Sequence, residues 1–552
     1  MTLKGEEVEE GVTYSSRATK LKGYLKKSAH ITNSKQKLFL IIGAYYMHRP
    51  YINPKISVSI IFVSAMFMSI MDSTIVNVAL PALSRQFNAV GTSIDAVVVG
   101  YLVSLAIIIP ASGWLGDRLG TKRVFLSALA LFTIASALCG LATSLPMLIG
   151  FRILQGIGGG ALTPVGTAIL YRTFPPVERV QVSRILNIPT VLAPASGPVL
   201  GGLLIDKLSW HWVFYVNVPI GIAAFLFGLL FLQEYHGHTT GTFDLGGFLL
   251  AGIGLALTMY ALSEGPSYGW TSVSILSSLS AGLVSIALFI FVELRSRHPI
   301  LDLRLFSNRG FRTCNLVSLF STAGFLGLLY AGPLFLQQAR GVSALTSGLT
   351  TFPEAIGVLV STQIVARIYP GVGPRRLIIG GLTGVAIVMA LMSLVGQDTT
   401  LWLMRALMFL TGAGMAFSFT SVQAASFATI SSAETGQAAA IFNAQRQIGA
   451  SLGVALISSV ISAVGMTQVS TSGTVVPNLT SYHAAFIAAA VLALIAACIG
   501  LSVRDSDATA TMRRRVSKSK AQQKNVPEQV LGTEQVHVAL NQEARSNVLP
   551  ES

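Results

Sequence analysis

Charge is scarce in this chain. Its 38 Lys and Arg and 23 Asp and Glu make up only 11% of 552 residues, where soluble domains carry about 25%. That shortage, with a hydrophobic content of 52%, excludes an ordinary water-soluble protein. Cysteine is scarcer still. Cys139, Cys314 and Cys498 stand singly in apolar runs, so neither a disulfide framework nor a metal-ligand spacing is present and no metal site is expected. The phosphate-cradling stretch G-x-x-x-x-G-K-[ST] does not occur, which argues against an ATP-driven pump. No nucleophile–base constellation stands out either, so the chain is read as something other than an enzyme, with no cofactor.

What the chain has is apolar length. Runs of the roughly 20 residues needed to cross a bilayer fall near 57–80, 95–115, 122–143, 146–170, 183–205, 212–232, 246–264, 273–293, 313–336, 345–368, 375–396, 400–425, 436–464 and 482–503, which predicts fourteen membrane helices. The net charge of +15 is distributed as in a membrane protein and not as in a nucleic-acid binder. With both termini cytoplasmic, the inner loops hold Arg118, Lys122, Arg123, Arg172, Arg179, Arg184, Arg295, Arg297, Arg304, Arg309, Arg312, Arg367, Arg375 and Arg376, and the outer ones only Arg85, Lys207 and Arg340. This is the positive-inside bias, and it fits an even helix count. Residues 1–55 contain one apolar decamer, 38–47, too short to span and without a signal-peptide cleavage site after it; they read as a cytosolic or interfacial extension. The tail from 504 to 552 is basic and then polar, the composition of a disordered segment at an anionic inner leaflet.

Few ionisable residues lie inside the spans, and each is a functional suspect. Asp72 stands in the first span about 12 Å from its outer end. A carboxylate at bilayer depth costs roughly 2.5–3.5 kcal/mol on insertion scales, so it needs a partner, a proton or a water-filled cavity. Asn77 adds a second polar group, and Pro81 is expected to close the helix. Arg152, in the fourth span, lies about 9 Å below the same surface. The depths match. Gln155, Gly156, Gly158, Gly159 and Gly160 follow it, small residues that permit close helix approach. Glu354, about 14 Å deep in the tenth span, has no basic residue near it in that span. In the thirteenth, NAQRQIG places Arg446 among Asn443, Gln445 and Gln447. Arg446 holds either the charge of Glu354 or carbonyls of another helix.

The order of these motifs resembles the major facilitator superfamily, in its fourteen-helix drug:proton antiporter branch, over residues 57–503. DSTIVNVALP is similar to the first-helix signature. GWLGDRLGTKR, 113–123, looks like the family's loop motif, with Gly113, Asp117, Arg118, Gly120, Lys122 and Arg123 in register and Thr121 where a basic residue is common. The stretch from Arg152 to Gly160 matches the fourth-helix motif, and APASGPVLGGLL, with Gly197, Pro198, Gly201 and Gly202, the fifth-helix motif of exporters that exchange substrate for protons. The second half repeats these only faintly. The resemblance implies an all-α membrane fold: six helices in 56–232, a linker with two additional helices in 233–312, and six more in 313–503, packed as two bundles that rock about a central cavity lined by the first and fourth helices. Neither additional helix carries an interior acid, so neither is expected to serve transport.

The implied function is proton-coupled export of lipophilic, often cationic drugs or toxic compounds through the cell membrane, with protons, small molecules and membrane lipid as partners and no nucleic acid. Asp72 and Glu354 are the proton-site candidates, with Arg152, Asn77, Gln155 and Arg446 in the cavity. Alternatives are export of one endogenous metabolite or lipid, and uptake by proton symport.

Overall fold

The computed structural model describes residues 53–88, 92–235, 243–296, 299–431, 433–469 and 475–512. The extension before 53 and the tail after 512 lie outside them. The described chain is almost entirely helical: α1 (Pro54–Phe87), α2 (Thr92–Leu119), α3 (Thr121–Gly140), α4 (Leu145–Thr173), α5 (Arg179–Lys207), α6 (His211–Tyr215), α7 (Asn217–Phe231), α8 (Leu245–Tyr268), α9 (Val273–Arg295), α10 (Arg309–Leu334), α11 (Ala344–Thr351), α12 (Pro353–Val372), α13 (Pro374–Met392), α14 (Leu401–Ser426), α15 (Thr435–Val464) and α16 (Leu479–Gly500). The short α6 runs on into α7, and α11 into α12, so the crossings number fourteen. Thirteen are long and apolar enough to be recognised by composition. The other is α5, 29 residues long but carrying Arg179, Arg184 and Asn187 toward one end. This is a multi-pass membrane protein.

Both described ends of the chain lie on the face that carries Arg118, Lys122, Arg172 and Arg375, called the basic face below. α1 to α7 form one bundle and α10 to α16 the other. The additional helices are not symmetric between them: α8 lies in the seam against α2 and α15, while α9 packs mainly on α8 and is the least buried crossing. On the opposite face, strands β1 (Thr467–Val469) and β2 (Val475–Pro477) pair antiparallel between α15 and α16.

Glycine sets how close the helices come. A Cβ at Gly156 would strike Ser104 and the carbonyl of Tyr101, and one at Gly160 the carbonyl of Leu105, so both let α4 lie directly on the backbone of α2. Gly158 does the same against Ala128 and Phe132 of α3. In α5, Gly197 and Gly201 face Thr74 and Ile75 of α1, whereas Gly202 has open space before it.

Two expectations need correction. α1 does not stop at Pro81 but continues to Phe87, as proline is tolerated in membrane helices where local adjustment re-satisfies the freed carbonyl. The acid of α9, Glu293, stands two residues from its C-terminal end; it is 2% exposed, and its Oε1 accepts the amides of Ile300 (3.1 Å) and Leu301 (3.3 Å), shaping the turn that leads to the second bundle. Residues from 504 on do not all read as tail either. Asp505–Thr511 form a 3-10 helix packed on the second bundle, with Ala508 and Thr511 buried and the Thr511 hydroxyl 2.9 Å from Tyr369 Oη.

That packed segment reveals a repeat hidden from the sequence. In the first bundle, Gly120 (φ +98°) precedes α3, and Glu234, just past the sixth crossing, accepts the amide of Lys122 at 2.8 Å. In the second, Gly373 (φ +87°) precedes α13, and Asp505, just past the last crossing, accepts the amide of Arg375 at 3.0 Å. Each acid sits where the glycine leaves room, at a helix end whose free amides and dipole favour negative charge. Asp505→Ala is expected to cost about 1 kcal/mol, as for loss of a helix cap; the thermal midpoint of the purified protein checks it, and an unchanged value would make the contact incidental.

Candidate functional site: a buried ion pair and the seam between bundles

Asp72 and Arg152 meet in the middle of the first bundle, both with 0% of the side chain exposed. Arg152 Nη1 donates to Asp72 Oδ2 at 2.5 Å and to Gln155 Oε1 at 2.7 Å, and Nε donates to the Val97 carbonyl at 3.2 Å. The guanidinium lies over the Tyr101 ring, 4.2 Å from its centroid. Asp72 Oδ1 accepts from Gln155 Nε2 (2.9 Å) and from Asn217 Nδ2 (2.8 Å). Asn217 also donates to Ser136 Oγ (3.1 Å), which itself donates to the Phe214 carbonyl (2.9 Å). One network therefore ties α1, α2, α3, α4 and α7 together through a single carboxylate.

The chemistry of such a site follows from its enclosure. Two opposite charges withdrawn from water persist only because each is paired and hydrogen-bonded. Protonating Asp72 would remove the Coulombic hold on Arg152, leaving a guanidinium whose Nη2 already has no hydrogen-bond partner among the described residues. The pair can then separate only if the helices around it move.

The sequence-derived candidates divide between joining this network and standing apart. Arg152 and Gln155 join Asp72; Asn77 is exposed and makes no contact with it. Asn217 and Ser136 were not singled out from the sequence. The signal available for Asn217 was an amide within the apolar stretch SWHWVFYVNVPIG, 209–221.

The loop-motif residues form a second centre at the basic face. Asp117 Oδ1 accepts from Arg172 Nη2 at 2.5 Å, and both side chains are nearly inaccessible. Its carboxylate also lies against Gly436, at the first turn of α15 in the other bundle, where a Cβ would stand 2.8 Å from Oδ1. Gly113 faces the Gly436 carbonyl in the same way. An acid at a helix N-terminus is favourable, and here it crosses the seam. Beside it Asn187 Nδ2 donates to Thr420 Oγ1 (3.0 Å), Tyr171 Oη to the Gln423 carbonyl (3.3 Å) and Arg179 Nη2 to the Ile430 carbonyl (3.4 Å), while Tyr171 stacks on Phe427 at 4.1 Å. Lys122 and Arg123 are turned toward Glu234 and the end of α7, and Arg118 is exposed.

In the second bundle Glu354 lies just past the break between α11 and α12, 4% exposed, with Oε1 unpartnered among the described residues. Its backbone is pressed against Gly412 of α14, where no Cβ would fit. It forms no ion pair with Arg446, so the pairing expected as one alternative is not made in this conformation.

Comparison with known proteins places this geometry. The profile of the Major Facilitator Superfamily matches residues 62–454 and 314–541. Two relatives named for multidrug resistance align with most of the chain. MdtD of Serratia proteamaculans (strain 568) is 30% identical over 453 residues, 82% of this chain and 94% of the relative. The multidrug resistance protein B homolog of Mycobacterium tuberculosis is 31% identical over 400 residues, 72% of this chain and 74% of the relative. Among solved structures, the human organic anion transporter MFSD10 superposes with a TM-score of 0.60 at 18% identity, over 81% of this chain and 99% of its own. The proton:xylose symporter XylE gives 0.54 at 17% identity, over 81% and 94%. At such identities these two speak for the fold alone.

Proposed function

The chain belongs to the Major Facilitator Superfamily, and from that premise we propose that it is a proton-coupled antiporter of the multidrug type, exporting lipophilic, often cationic compounds across the cell membrane by alternating access. The names of its relatives support the substrate class. The observation that carries the coupling is the Asp72–Arg152 pair, a carboxylate held in an apolar bundle by a guanidinium and two amides. The basic face is the cytoplasmic one, by its excess of arginine. A proton arriving from outside neutralises Asp72, loosens the tie among five helices, and lets the bundles rock; release of that proton inward resets the pair. One proton crossing the membrane supplies about 2.3 kcal/mol per 100 mV, enough to sustain a useful concentration ratio of cargo.

Glu354 is the second proton site in this reading. A buried carboxyl with an unpartnered oxygen is costly to keep, and no ion pair rewards it here. Glu354→Gln is therefore expected to leave the thermal midpoint unchanged or raise it, while altering the pH dependence of transport and the handling of cations. A wild-type transport profile would reduce Glu354 to packing.

The deciding experiment is proton flux in proteoliposomes. The full chain is reconstituted with a pH gradient and an internal pH dye, then challenged with lipophilic cations and neutral drugs. Compound-driven proton movement against the direction of cargo is the expected result. No proton movement with any compound would sink the antiport reading, and movement in the same direction would replace it with symport.

A further inference from the structure

Arg446 sits about 17 Å along α15 from the basic face, deep inside the protein, yet has no hydrogen bond or ion pair among the described residues. Part of its surface stays accessible. A side chain packed solid would have lost that surface, and a guanidinium facing lipid at that depth would be costly. The combination is that of a residue lining an internal space.

The register of α15 agrees. At about 100° per residue, Ile448, which packs with Ala106, Leu255 and Met259, and Ser459, which accepts from Trp270 Nε1, share the side that meets α2 and α8. Gly449 and Gly453 lie against the carbonyls of Leu319 and Ala323 of α10. Arg446 projects about 140–160° from the α8 side, just beyond the α10 contact. It is turned away from α8.

No acid forms an ion pair with it among the described residues. Asp72 is committed to Arg152, Asp117 to Arg172 and Glu293 to two backbone amides, and Glu354 makes no pair with it. A guanidinium in a low-dielectric space with five donors in a planar fork is matched by a carboxylate, sulfonate or phosphate, which it can grip with two parallel hydrogen bonds. Its half-buried neighbour Gln447 adds an amide on the adjoining position, whereas the amide of the buried Asn443 donates to the Ala439 carbonyl at 2.8 Å.

We propose that Arg446 is the anion-recognition residue of the transport chamber, binding the acidic group of an amphiphilic substrate, so that the compounds exported include zwitterions and lipophilic acids as well as cations. This rests on the exporter reading above and refines its substrate class. An apolar scaffold carrying one acid would place that acid on Arg446 in the second bundle, at a distance from the ion pair of the first.

The test uses the full chain in phosphatidylcholine nanodiscs, with rhodamine B, which carries a free carboxylate, and its ethyl ester, which does not, titrated by fluorescence polarisation at one pH. Arg446→Gln is expected to weaken binding of the acid tenfold or more and to leave the ester within twofold; Arg446→Lys, which keeps the charge but not the fork, is expected to fall between. The Lys variant carries the test if the Gln variant aggregates. Equal loss of acid and ester, or no loss of the acid, would overturn the proposal while the exporter reading stands. Failure of the wild-type chain to bind either dye would overturn both. Added phosphatidylglycerol that competes with the acid in the wild type but not in Arg446→Gln would support the site with a lipid headgroup as its anion; no competition would support it with the compound's own acid.

Discussion

Asp72→Asn is expected to abolish proton-driven efflux, reducing it to the rate of empty vesicles. The isosteric amide keeps the volume and an acceptor for Asn217 or Gln155 but has no titrating group and no charge for Arg152. Stability should fall as well, because removing one member of a buried pair strands the other charge, a change that typically costs about 3–5 kcal/mol. The two effects are separable. In the double variant Asp72→Asn/Arg152→Gln the stranded charge is gone, and the thermal midpoint should recover most of the loss while transport stays absent. If the single variant transported normally under a pH gradient, Asp72 would leave the mechanism. Recovery of transport in the double variant would make the pair a structural tie only.

How much of this was legible in the sequence depended on the rarity of charge in oil. Asp72 and Arg152 stood out because few ionisable residues interrupt the apolar runs, and simple rise arithmetic put them at matching depth. Gln155 followed, since three residues along a helix it shares a face with Arg152. The same arithmetic applied to Asn77 would have excluded it: five residues from Asp72 is about 140° around the helix, and the structure shows it exposed on the far side. Asn217 was hidden for the opposite reason. A neutral amide in a span carries no large penalty to attract notice, and its role exists only because α7 passes beside α1 and α3. The glycine motifs were legible as sites of close approach but not as to partner. That Gly156 and Gly160 meet α2, Gly197 and Gly201 meet α1, and Gly113 meets Gly436 across the seam depends on bundle geometry. Most hidden of all was Asp505, which lies 130 residues beyond the amide it accepts. The basic stretch PRRL, 374–377, at the start of α13 carries no acid of its own, and the fold supplies one from just past the last helix.

Joining the bundles at the basic face should stop transport outright. In this conformation Asn187 and Thr420 touch across the seam at 3.0 Å, as do Asp117 with Gly436 and the stacked rings of Tyr171 and Phe427, so the basic face is closed. Alternating access requires this same face to part once per cycle. Asn187→Cys/Thr420→Cys, in a chain whose own Cys139, Cys314 and exposed Cys498 have been replaced, is expected to cross-link with a short bismethanethiosulfonate and to lose transport in proportion to the linked fraction, recovering it on reduction. Ligand binding from the opposite face should survive the link, which distinguishes arrest from unfolding. Transport that continued undiminished with the link closed would mean that the bundles do not part there. Asp117, Arg172 and the glycines facing them would then be a permanent weld, and the proton released from Asp72 would need some other way to reach the cytoplasm.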